Sequence, residues 1–188
     1  LMLNTVQCLL ERKEELFRGL AVQDEVDWND GGVPVIAMDL SKTSAIEDDD
    51  PMAAVKIFKE YLREQVRVNA ERLEVEVANG MADTMFTDLL KAVSKKTGKK
   101  AAVLIDEYDA PLLQVLGNNG GKMDERVVKT RAALHTFLLR LKSDTKLITR
   151  HVVTGVTKFT LADMLSQLNH LHARTSHKRC AHAPAFAF

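Results

Sequence analysis

Ala101-Ala102-Val103-Leu104-Ile105-Asp106-Glu107-Tyr108-Asp109 decides the fold. Five apolar residues in a row, followed by acids, read as a strand buried on both faces that delivers two carboxylates at its C-terminal end. In open α/β sheets ligands bind outside that end of the strands. Asp106 and Glu107 are therefore candidate functional residues. The competing reading is a strand that merely leaves the core through polar residues.

Working outward, Val33-Pro34-Val35-Ile36-Ala37-Met38-Asp39-Leu40 is a second short apolar run, a buried strand, and Leu147 to Thr154 reads as a third strand. Helical patterns separate them. Pro51 follows Asp50, a good N-cap, and opens a helix from Met52 to about Val77 with Val55, Phe58, Leu62 and Val66 on its apolar face. A second helix runs from Asp83 to Lys96 and closes at Thr97-Gly98-Lys99-Lys100. Glu125 to Lys142 is amphipathic, and Thr160 to Leu171 reads as a short helix. Leu3 to Leu20 is expected to be one helix stopping near Gly19. Pro111 to Lys122 is expected to be loop. Strands alternating with helices predict an α/β fold, a parallel sheet with helices on both faces.

Bulk composition narrows the function classes. The chain has 188 residues, 46% hydrophobic and 28% charged, with zero net charge. That suits one globular domain and gives direct nucleic-acid binding no electrostatic support. The two cysteines, Cys8 and Cys180, are far apart, which fits a reducing, intracellular compartment, cytoplasmic or nuclear. No apolar run is long enough for a membrane span. The residues from 172 to 188 read as an irregular tail. Its His172, His177, Cys180 and His182, with His170 just before it, match no tight zinc spacing. Trp28 and Tyr108 read as packing aromatics, with Tyr108 also a candidate wall of a nucleotide pocket.

A second polar strand end is Val152-Val153-Thr154-Gly155-Val156-Thr157-Lys158-Phe159. In this architecture Thr154 would lie beside the acidic pair, with Thr157 and Lys158 behind it. The competing reading is a polar strand-to-helix turn, with Thr157 or Thr160 capping the following helix.

These strings together resemble the AAA-ATPase-like family, whose domain is often found in front of a PD-(D/E)XK nuclease-like domain. The resemblance rests on Glu15-Leu16-Phe17-Arg18-Gly19-Leu20, Trp28, Val33 to Ser41, Leu104-Ile105-Asp106-Glu107-Tyr108-Asp109, Phe137 with Leu141-Lys142, Thr154-Gly155-Val156-Thr157-Lys158-Phe159 and Leu168-Asn169-His170-Leu171. It covers residues 1 to 171, taken as one domain. It implies a three-layer sandwich of P-loop NTPase type, with ATP and Mg²⁺ as ligands. It implies Asp106 as the Walker B metal-holding acid, Glu107 as the water-activating acid, Thr154 near the sensor position, and Thr157 and Lys158 as nucleotide-binding. An attached nuclease-like effector domain is the implied partner in the intact protein.

The chain departs from the family at Arg150 and His151, which are more polar than the family's apolar run in that strand, and again at its start. The family's phosphate loop, ending in Gly-Lys-Ser, precedes the helix that here begins at Leu1-Met2-Leu3-Asn4. The Gly121-Lys122 pair is followed by Met123, so it is no substitute. The expectation is a domain that begins inside its first helix, lacking its first strand, and inactive alone. Leu147–Thr154 would then be an exposed sheet edge. A non-catalytic interaction module and a nonfunctional fragment are the alternatives.

Overall fold

The buried run 101–105 takes the middle of the sheet. The computed structural model describes residues 2–42, 50–118, 121 and 124–156. In it β2 (Ala101–Asp106) lies between β1 (Val35–Asp39) and β3 (Ile148–Val153), and both pairings are parallel. Ala101 through Ile105 are all buried, as a central parallel strand requires. Each parallel crossover contains two helices. α2 (Pro51–Arg72) and α3 (Ala82–Thr97) join β1 to β2, and α4 (Ala110–Asn118) and α5 (Glu125–Ser143) join β2 to β3.

Alternation along the strands sorts side chains into two cores. Ile36, Met38, Val103 and Ile105 pack with Phe58, Leu62, Phe86, Leu89, Phe137 and Leu138 from the crossover helices. Val35, Ala102 and Leu104 face the other way and pack with Leu3 of α1 (Met2–Leu10). The architecture is therefore α/β in three layers, as expected. Each fully buried Leu or Phe contributes roughly 1.5–3 kcal/mol from burial.

The expected helix signals act locally. Asp50 Oδ1 accepts from the Met52 amide at 2.9 Å, with Pro51 in the first turn. Gly98 ends α3 at φ 68° and its amide reaches Ser94 O. Asp124 caps α5 by accepting from the Val127 amide at 3.0 Å.

Three expectations are corrected. The first helix ends at Leu10, not Leu20. Arg12 sits at φ 59° and donates to Leu9 O and to Asp30, which turns the chain back until the Val33 amide reaches Leu10 O. Short 3₁₀ turns at Glu14–Leu16 and Ala21–Asp24 follow, and Phe17 stacks against Trp28 with ring centroids 5.4 Å apart. α2 stops at Arg72, where Glu74 at φ 51° lets the Val75 amide return to Ala70 O. The segment expected to be loop from Pro111 contains α4, which buries Leu112 and Val115. Pro111 is tolerated because it stands in the first turn, where its missing N–H removes no helical bond. The expected helix at Thr160–Leu171 and the tail lie outside the described residues.

The outward side of β1 is closed by side chains of α2. Ala37 donates to Asn69 Oδ1 at 2.9 Å and accepts from Asn69 Nδ2 at 2.7 Å. The Asp39 amide donates to Gln65 Oε1 at 3.2 Å, and Tyr61 donates to Asp39 O at 2.5 Å. Arg72 donates to Val35 O and pairs with Glu11 at 2.8 Å. Beyond β3 no further strand pairs among the described residues. There the register slips by one residue, so that Ile148 faces Ala101 while Arg150 faces Ala102. Thr149 is the extra residue of this bulge.

Candidate functional site

Asp106 ends β2 directly beside Asp39, its register partner at the end of β1. The Leu40 amide donates to Asp106 O at 3.0 Å, which keeps the two strand ends level. Across the other seam Thr154 follows β3. Its amide donates to Ile105 O at 2.9 Å, and its carbonyl accepts from the Tyr108 amide at 3.0 Å. These backbone bonds bring the Thr154 hydroxyl onto Asp106 Oδ1, to which it donates. The Glu107 amide donates to the same oxygen at 3.1 Å. Both bonds use Oδ1, and among the described residues no hydrogen bond is made to Oδ2. A carboxylate fixed in this way presents a hard oxygen donor, the type Mg²⁺ selects.

Glu107 adopts φ 52°, a left-handed conformation that is uncommon outside glycine and concentrates where a chain must turn sharply at a site. It is half-buried. Asp106, Glu107 and Thr154, expected from sequence to share a site, are thus brought together. Thr157 and Lys158 lie outside the described residues. Tyr108 is fully buried and packs rather than lining a pocket wall.

A cleft of about 280 Å³ opens beside Asp106, lined among others by Asp39, Gln65, Asn4 and Gln7. Asn4 stands near the start of α1, while the other end of α1 meets the chain entering β1 through the Leu10–Val33 bond. α1 therefore runs against the strands and turns its positive end toward the carboxylates. Asp39, Gln65 and Gln7 were not singled out from the sequence. Asp39 carried the signal that found Asp106, an acid ending an apolar run.

A parallel sheet layered between helices, with an acid pair at the end of its central strand and a hydroxyl crossing from the next, is an α/β arrangement compatible with a sandwich of P-loop NTPase type. The chain belongs to the AAA-ATPase-like family: the family model described as "Predicted AAA-ATPase" matches residues 1–165. The chain is also 26% identical over 171 residues to the "Uncharacterized protein in vnfD 5'region" of Azotobacter chroococcum mcd 1. That match covers 91% of this chain and 31% of the relative, so the chain spans about a third of that protein's length. No solved structure matches. No helix among the described residues is long and apolar enough to cross a membrane.

Proposed function

We propose that the chain supplies the magnesium-and-water half of an ATP-binding, ATP-hydrolysing regulatory site. The observation that carries this reading is the convergence of Asp106, Glu107 and Thr154 at one sheet edge, beside a cleft that faces the start of α1. Asp106 holds Mg²⁺ through its uncommitted oxygen or through water. Glu107 takes a proton from the attacking water, and Thr154 keeps Asp106 oriented. Bound Mg²⁺ contributes charge neutralisation at the transferred phosphoryl group. Thr157 and Lys158 follow within a few residues and bind the nucleotide. The extra length of the matched relative supports an attached effector domain, nuclease-like by family resemblance, that responds to hydrolysis.

A second reading is a non-catalytic interaction module. No Gly-x₄-Gly-Lys-Ser/Thr string occurs within the 188 residues. Without that cradle the carboxylates repel a triphosphate, so titration calorimetry of this chain with Mg·ATP should show weak binding or none. In a version extended upstream to carry such a loop, Glu107→Gln should keep Mg·ATP binding and lose hydrolysis. Asp106→Asn should weaken the magnesium-dependent part of binding. Turnover unchanged in both variants would remove this strand end from the active site. An extended protein with no nucleotide affinity would leave the interaction module standing.

A further inference from the structure

Asp109 is fully buried and has no part in the steps above. It lies two residues past Glu107, where its carbonyl accepts from the Leu112 and Leu113 amides, both at 3.0 Å, and so starts α4. Its side chain turns the other way. Oδ1 accepts from the Val156 amide at 3.3 Å, two residues past Thr154. Between those positions, Gly155 passes directly over the Tyr108 ring and the Asp109 carboxylate. A Cβ at 155 would stand 2.6 Å from Asp109 Oδ1 and would overlap the edge of the Tyr108 ring. The φ of Gly155 is not in the left-handed region, so glycine is required there for closeness and not for conformation.

We propose that Asp109 is a positioning residue, a buried clamp that holds the turn after β3 onto the turn after β2 and thereby keeps the Thr154 hydroxyl on Asp106. The chain of contacts is short. Asp109 fixes Val156, and the missing side chain at Gly155 lets the two turns close. The Thr154 backbone then bonds to Ile105 and Tyr108 on either side of the acid pair. Loss of the clamp frees the 154–156 turn without touching the ladder between β1 and β2. The same clamp connects the start of α4 to the acid pair, so displacement of α4 is transmitted to Thr154. The proposal deepens the ATPase reading and rests on it for its catalytic consequence, but the clamp itself is testable without nucleotide.

The test is amide hydrogen exchange followed by NMR on the protein and two substitutions of the same residue. In Asp109→Ala, exchange at the Thr154 and Tyr108 amides should accelerate about tenfold or more, the scale of one lost buried hydrogen bond, while Met38 and Leu40 stay protected. Asp109→Asn retains a side-chain oxygen that accepts from the Val156 amide and should restore protection. Gly155→Ala should open the same amides by prising the turns apart, and it decides the matter if Asp109→Ala does not fold. Unchanged exchange in the folded variants would overturn the clamp. So would a uniform rise across the whole sheet, which marks a merely structural residue. In the loop-bearing extended version, Asp109→Ala should lower kcat roughly tenfold with Mg·ATP affinity retained, and Asp109→Asn should recover most of the loss. If the extended wild type hydrolyses no ATP, the functional reading fails and the exchange pattern alone still decides the clamp.

Discussion

β1 and β3 flank the same central strand in the same direction, yet their outer sides differ. On β1, the outward groups of Val35, Ala37 and Asp39 meet Arg72, Asn69, Gln65 and Tyr61. Those four residues are spaced along one stripe of α2, at steps close to whole helical turns. The helix thus performs the hydrogen bonding of a neighbouring strand, with side chains in place of a backbone. On β3 no strand adds to the sheet among the described residues, and Thr149, Arg150 and Val152 are exposed. An edge can be ended by a helix that lends it polar side chains or left as a place for more sheet. Among the described residues, this one sheet has both.

The sharpest way to break this comparison is at Asn69, which is 3% exposed and holds both the N–H and the C=O of Ala37. Asn69→Leu strands both groups in the interior and should destabilise the fold by about 2–4 kcal/mol in urea unfolding. A loss below about 0.5 kcal/mol, the scale of an ordinary surface change, would mean that water or another side chain closes that edge instead. Tyr61→Phe removes the hydroxyl that donates to Asp39 O and meets the Lys42 backbone amide, and should lower stability by about 1–2 kcal/mol by the same measurement.

Acid offers a gentler probe of the same edge. Burial raises the Glu11 carboxyl pKa, but hydrogen bonds from Lys13 and Gln7 and the charges of Arg72 and Lys13 outweigh it and hold the pKa below its ordinary value. A carboxyl with a depressed native pKa stabilises the fold above its unfolded pKa, and that contribution disappears as pH falls through the native one. Glu11 also holds Arg72, which closes the start of β1. Below about pH 4.3, the ordinary glutamate value, wild type should therefore lose melting temperature faster than Glu11→Gln. Because Arg72 is partly exposed, the difference should amount to only a few tenths of a kcal/mol.

At the other edge, Val152→Lys should change stability by no more than about 0.5 kcal/mol. It should instead reduce any concentration-dependent association in sedimentation velocity, because a lysine on an edge discourages strand addition. A large loss of stability would show that Val152 is covered.

The sequence made β1 and β2 legible because each is a short apolar run between helical patterns, and the central one has no polar residue before Asp106; β3, broken by Thr149, Arg150 and His151, read as a strand from Leu147, Ile148, Val152 and Val153 at its two ends. The acid pair followed from the central strand. Its partner Thr154 followed from the next strand by the order of a parallel sheet. Other features left weaker traces. Arg12 and Glu74 turn the chain at positive φ without being glycine, so the ends of α1 and α2 carried no punctuation. Pro111 and Gly117 punctuate a segment that is nonetheless helical, because Leu112 and Val115 reach the core. The Tyr61, Gln65, Asn69 and Arg72 stripe of α2 carries no signal of its own, because its role appears only with β1 lying beside it. Asp109 looked like the last letter of an acidic string, and its tie to Val156 depends on a contact 47 residues away.

The bulge in β3 has a genetic consequence. Loss of a codon inside a strand ordinarily reverses which side every later residue faces. Here Ile148 and Arg150 already meet consecutive partners, and Thr149 is the surplus residue between them. Removing Thr149 would leave an unbroken ladder, with every later residue facing as before. The strand that leads to Thr154 thus contains one position at which the length of the gene can vary by three nucleotides while the reading of the sheet stays in phase.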